Sequence, residues 1–190
     1  MNDYGVVTAP GTMRFERLLP GPIERVWSYL IDSDKRRQWL AAGTMELRVG
    51  GQVEHVFRHW ELTGNDSPPP AKYAKHADTE SRMHGHIIAS EPPHLLAYTW
   101  GETEDDGQPA ADSEVRFELT PQGDNVLFVL THSRLPNHDY MIGVASGWHT
   151  HLSVLSDLLS GHRPTGFWNT FARMEAAYLE RIPADSATPQ

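Results

Sequence analysis

Between Val115 and Leu159 the hydrophobic period of the chain changes from two residues to 3.6, and no other feature constrains the fold as much. Val115, Phe117 and Leu119 alternate with polar neighbours, and so do Val126, Phe128, Leu130 and His132 beyond the turn Gln122-Gly123-Asp124. This is the pattern of antiparallel strands with one face buried. Met141, Ala145, Trp148, Leu152, Leu155 and Leu159 then form one stripe at helical spacing along "MIGVASGWHTHLSVLSDLLSG". A helix so patterned must bury its stripe, and the face of the preceding strands is available to receive it.

The upstream segments extend the sheet. Met13, Phe15, Arg17 and Leu19 alternate until Pro20 ends the strand; Pro22 suits the first turn of a helix whose stripe is Ile23, Val26, Trp27 and Leu30. Asp32 or Ser33 caps a second short helix, "DKRRQWLAAG", which carries Trp39 and ends at Gly43. "MELRV" and "QVEHVFRHW" flank Gly50-Gly51 and predict a hairpin. A three-residue loop with a bulge would place Val49 opposite Val53, Leu47 opposite His55 and Met45 opposite Phe57. Two further strands surround Pro92-Pro93, which brings the expected number to seven. After Pro164 a last helix, "FWNTFARMEAAYLERI", is expected. The connections Thr63–Glu80, with three successive prolines, and Glu102–Ser113, acidic and small, read as mobile surface loops. Residues Asn65 to Lys75 are expected at a pocket mouth or sheet edge. The division expected is a flexible lead at 1–11, one domain at 12–182 and a disordered tail at 183–190.

Charge and residue usage narrow the function classes. Net charge is −9 with 16 Lys and Arg scattered singly, so the basic footprint of a nucleic-acid binder is missing. No apolar run is long enough to span a membrane, and the start has no basic or apolar leader; a cytoplasmic protein is expected. With no cysteine, neither disulfides nor thiolate chemistry are available. The 11 histidines raise a metal question, since His55 and His59 would share one strand face, and His84 and His86 a face of a neighbouring strand. There is no HExxH and no third ligand, and His149 and His151 fall on different faces of their helix, so no metal is expected. Gly50-Gly51 is a turn and not a phosphate loop, and no serine stands in a nucleophile elbow. No cofactor is expected.

The segments "PIERVWSYLIDSDKRRQWL", "LRVGGQV", "EPPHLLAYTW", "VRFELTPQGDNVLFVLTHSRL" and "GWHTHLSVLSDLL", in this order, resemble the bacterial branch of the family named after the activator of Hsp90 ATPase. That family lies within the SRPBCC, or Bet v 1/START-like, helix-grip superfamily. The resemblance implies an α+β fold in the order β-α-α-β6-α: a curved seven-stranded antiparallel sheet around a long C-terminal helix, with an extra C-terminal helical segment. It also implies a cavity between sheet and helix. Trp39, Phe57, Tyr98, Trp100, Phe117 and Trp148 come from different elements and can point into one interior, where they either line a pocket or fill a core. The pocket is the expectation, with Leu152 and Leu155 joining from the helix stripe. His132, at the cavity end of the last strand, and His151, one turn from Trp148, are the candidate polar groups.

The expected function is non-catalytic binding of a small hydrophobic or amphipathic molecule. One alternative is an enzyme resembling the superfamily's cyclases and dehydratases, which use a cavity histidine. Another is a partner of an Hsp90-type chaperone, although the resemblance covers only the domain corresponding to the C-terminal half of such activators. Neither nucleic acid nor membrane insertion is expected.

Overall fold

The computed structural model describes residues 3–64, 66–103 and 113–186. Strands β1 (Val6–Ala9) and β2 (Thr12–Pro20) lead into helices α1 (Ile23–Ile31) and α2 (Ser33–Arg36). Strand β3 (Gln52–Phe57) and the single-turn α3 (His59–Leu62) follow, then a 3-10 helix at Ala71–His76. Strands β4 (Ser81–Glu91), β5 (Leu95–Trp100), β6 (Glu102–Thr103), β7 (Ser113–Gln122) and β8 (Asn125–Ser133) complete the sheet. Helices α4 (His138–Leu159) and α5 (Phe167–Arg181) close the chain. All pairings are antiparallel, in the order β1-β2-β8-β7-β5-β4-β3, with β6 beside β4. The fold is therefore the α+β helix-grip arrangement, with seven strands on the main path.

Period-2 alternation sets the inner face. Met13, Phe15 and Leu19 of β2, Val115, Phe117 and Leu119 of β7, and Val126, Phe128, Leu130 and His132 of β8 are all buried there. Register keeps them together: Phe15 and Phe117 both stand opposite Leu130, and Met13 and Val115 both stand opposite His132. Helix α4 covers this face with its stripe, from Met141 to Leu159, and Trp148 is buried as expected. Asn137 caps it by accepting from the Tyr140 N–H at 2.8 Å. Helix α5 packs outside α4, burying Phe167, Trp168, Phe171, Met174 and Tyr178.

The break at Pro20-Gly21-Pro22 places α1 at one end of the sheet, burying Ile23, Val26, Trp27 and Leu30. Asp32 caps α2, its carboxylate accepting from the N–H groups of Asp34 and Lys35. That helix is one turn only. Buried Arg36 then turns back to donate to the Leu30, Ile31 and Gly43 carbonyls, satisfying the C-terminal end of α1.

Three sequence expectations are corrected. "MELRV" is not a strand: only the bridges Ala42 with Val56 and Met45 with Val53 form, so the expected register is wrong and Leu47 and Val49 are exposed. The reason is that Gly50-Gly51 belongs to a wider loop. Gly50 N donates to the Ile87 carbonyl, Ile87 N donates to the Gly51 carbonyl, and a Cβ at Gly51 would lie 2.1 Å from the Glu46 carbonyl oxygen. Secondly, the lead is not free. Residues Val6–Ala9 pair with β2, and Gly11 N donates to Ser186 O at 2.8 Å, tying the start of the chain to the end of the described chain. Thirdly, Asp66–Lys75 is docked on α5. Asp66 accepts from Gly166 N, Ser67 Oγ accepts from Trp168 N, and Lys72 and Tyr73 both reach Glu175. Asn65, residues 104–112 of the acidic connection and residues 187–190 of the tail lie outside the described residues. Among the described residues no helix is long and apolar enough to cross a membrane.

Candidate functional site

A cavity of about 480 Å³ lies between the N-terminal half of α4, the end of the sheet and the start of α5. The sheet contributes Phe57 of β3, Ser81 and Met83 of β4, Trp100 of β5 and His132 of β8. Helix α4 contributes Gly143, Val144, Gly147, Trp148 and His151, and α5 contributes Phe167, Trp168 and Phe171. Leu40, His59 and Tyr73 complete the wall, while Asp139 and Tyr140, both exposed, mark the mouth.

The opening lies beside the flank of α4 that carries Gly143 and Gly147, roughly a third to half a turn round the helix from the buried Met141–Leu159 stripe. Gly143 and Gly147 are one turn apart on the same helix face. A Cβ added at Gly143 would meet nothing within 4 Å, and one at Gly147 would only touch Phe171 at 4.0 Å. Around this space the rings form two walls. Trp100 packs 5.0 Å from Trp148, 5.7 Å from His132 and 5.9 Å from Phe57. Opposite them, His151 lies 5.0 Å from Phe167, Tyr73 stacks on Trp168, and Tyr73 meets Phe171 edge-on at 4.9 Å.

Of the ten expected site residues, Phe57, Trp100, His132, Trp148 and His151 line the cavity. Trp39, Tyr98, Phe117, Leu152 and Leu155 do not; each is buried in the core, with Trp39 and Tyr98 among the largest fully enclosed side chains. Those five point inward as the patterns require, but lie where α4 or α1–α2 fills the interior. His59, Tyr73, Met83 and the first three aromatics of α5 escaped the sequence reading. His59 had been placed on the strand, which ends instead at Phe57, and "FWNTF" carried a signal in its clustered rings.

His132 is fully buried, and its two nitrogens are committed. Trp148 Nε1–H donates to Nδ1 at 2.9 Å; since Nδ1 accepts, the ring proton sits on Nε2, which meets Ser113 Oγ at 2.9 Å. Ser113 in turn donates to the Trp100 carbonyl at 2.7 Å. The direction of this chain decides its chemistry. A histidine that donates to a serine cannot take that serine's proton, so Ser113 and His132 do not form a nucleophile and its base, and Ser113 does not line the cavity. Burial alone pushes the His132 imidazole down to about 3, which keeps it neutral. The expectation that His132 orients a ligand is thus corrected: it contributes a ring edge to the wall, and its polar atoms are spent inside the protein.

His151 differs. Its Nδ1 contacts the Trp39 carbonyl at 2.6 Å and must donate there, so Nε2 carries the lone pair. That nitrogen has no hydrogen-bond partner among the described residues, and the ring borders the cavity. Burial lowers the group to about 4, partly opposed by the bond to Trp39. His149, two residues away, faces α5 instead, hydrogen-bonded to the Tyr178 hydroxyl at 3.0 Å. Trp168 Nε1–H is buried with no hydrogen-bond partner among the described residues.

The histidines that raised the metal question are divided by the pleat. His55 stands beside inward-facing Met83, whereas His84 and His86 are on the outer face beside Glu54 and Gln52. Among the described residues no group of three His, Asp or Glu side chains could hold a metal ion.

Comparison with known proteins agrees with this architecture. A protein encoded by gene BPP1335 of Bordetella parapertussis, solved in solution, is 42% identical over 100% of this chain and 95% of its own, with a TM-score of 0.78. CalU16 from Micromonospora echinospora shares the fold at 23% identity, 89% and 86% coverage and a TM-score of 0.61. Protein CV1439 from Chromobacterium violaceum shares it at 21% identity, 78% and 96% coverage and a TM-score of 0.60. A search of curated proteins gave no match. The family model described as activator of Hsp90 ATPase homolog 1-like protein matches residues 20–160, from the end of β2 through α4, and the chain belongs to that family.

Proposed function

We propose that this protein binds a small hydrophobic or amphipathic molecule in the cavity under α4, without performing chemistry on it. The observation that carries this reading is an aromatic-walled space of about 480 Å³ in which the best-placed imidazole, His132, has both nitrogens bonded inside the protein. Burial of apolar ligand surface there contributes about 25 cal/mol per Å² before ordering costs. An acid or base would need a free proton site poised near neutral pH. His132 offers none, and His151 is lowered to about 4.

Native mass spectrometry of the protein as purified, followed by calorimetric titration with two-ring aromatic compounds, tests the reading. Saturable one-to-one uptake is the expected result. Uptake that survives closure of the space by Gly143→Phe, in a variant that still folds, would overturn it.

A further inference from the structure

Resting on that reading, we propose that the ligand is an uncharged ring-bearing molecule with a hydroxyl or N–H head group, which donates to His151 Nε2. The polar atoms of the cavity point to this head group. His151 is 6% exposed, and its Nδ1 is held by the Trp39 carbonyl, so the wall nitrogen is an acceptor and not a donor.

The His151 ring stands among the aromatic walls, 5.0 Å from Phe167 and 5.7 Å from His59. Charge decides the rest of the class. Among the described residues that line the cavity there is no lysine or arginine, and the sole carboxylate, Asp139, is solvent-exposed at the mouth. A carboxylate or phosphate ligand would lose its hydration without gaining a counter-ion. A flat, neutral molecule with one such head matches both the rings and the His151 acceptor.

Three naphthalene probes separate the terms: 2-naphthol, its methyl ether 2-methoxynaphthalene, and 2-naphthoate, measured by equilibrium dialysis at neutral pH. The naphthol both donates and accepts, the ether only accepts, and the naphthoate is charged. The expected order is naphthol over ether by about 2- to 10-fold, the worth of one hydrogen bond, with naphthoate weakest. His151→Phe should bring naphthol down to the ether and leave the ether unchanged. Should that variant fail to fold, the ratio of naphthol to ether affinity in the unaltered protein carries the test. Equal binding of naphthol and ether to the unaltered protein would overturn the head-group assignment and leave the cavity reading standing. Preference for naphthoate would overturn it in favour of an anion site. Failure of all three probes to bind would overturn the cavity reading itself.

Discussion

The two halves of α4 cover the same sheet and do opposite things. Below Trp148 the helix presents Leu152, Leu155 and Leu159, which are buried in one continuous core with Phe117, Phe128 and Leu30. Above it Met141 and Ala145 continue the buried stripe, while the flank turned toward α5 carries Gly143 and Gly147 beside the cavity. The backbone is regular throughout, from His138 to Leu159. The stripe is packed along its whole length, and the hollow lies to one side of it, where Gly143 and Gly147 leave space between α4 and α5. Trp148 stands at the boundary, with one edge bonded to His132 and its ring against Trp100.

The largest effect is expected at the leucines. Leu155→Ala should destabilise the protein by about 2–5 kcal/mol, because the enclosed lower half can close only partly around the missing atoms. Val144→Ala, on the cavity side, should cost about 1 kcal/mol or less, since that neighbourhood is already open. Urea denaturation of the two variants checks this. Equal losses would mean that the two halves are packed alike.

Next in size is the bond network at the boundary. His132→Phe fills the same space but strands the Trp148 N–H, which is buried, and should cost about 1–3 kcal/mol. Its effect on 2-naphthol affinity should be small beside that of His151→Phe. If His132→Phe abolished binding while stability held, the assignment of its nitrogens to internal bonds would be wrong.

How far these halves could be told apart in the sequence depends on what a pattern records. Period-2 alternation at Val115–Leu119 and Val126–His132, and the stripe from Met141 to Leu159, were enough for the sheet, the helix and their mutual face. They record which way a side chain points and not whether anything fills the space it points into. That is why Phe117 and Tyr98, correctly inward, turned out to be core. The hairpin failed for another reason: Leu47 and Val49 alternate as a strand should, but the Gly50-Gly51 loop engages Ile87 of β4 and pulls the segment out of register. The contribution of α5 and of Tyr73 to the site is purely tertiary, made by contacts across about a hundred residues such as Ser67 with Trp168. One local clue did exist. Glycines at 143 and 147 inside a helix carry a conformational cost that packing alone would not favour.

The two buried imidazoles make stability depend on pH. His132 and His151 titrate near 3 and 4 when folded, against 6.5 for the free group. Above about pH 6.5 both states leave them neutral, and they make no pH-dependent contribution. As pH falls below that value the unfolded chain takes up protons that the folded chain refuses, so stability declines until the folded pKa is reached. The slope is up to about 1.4 kcal/mol per pH unit for each histidine. Urea midpoints at pH 7.5, 6.0 and 5.0 should therefore fall, and His132→Phe should flatten the decline by one histidine's share. An unchanged slope in that variant would show that His132 accepts a proton in the folded protein.

The smallest expected effect concerns the glycine that keeps the upper half open. At Gly143 a methyl group has no atom within 4 Å to strike, and the residue lies inside a regular helix. Replacing it with alanine removes backbone freedom from the unfolded chain at no steric cost, so Gly143→Ala should stabilise the protein by about 0.5–1 kcal/mol. One methyl takes up little of a cavity of about 480 Å³, so naphthol affinity should stay within about 2-fold, less than the worth of a typical hydrogen bond. Bulk at the same position should separate the two properties. Gly143→Leu keeps the helix gain but occupies the space beside Trp148, and should lower naphthol affinity while stability is retained. Thermal unfolding and dialysis on the two variants make the test. Destabilisation by alanine would mean that Gly143 is packed, and that the hollow half of α4 closes in solution.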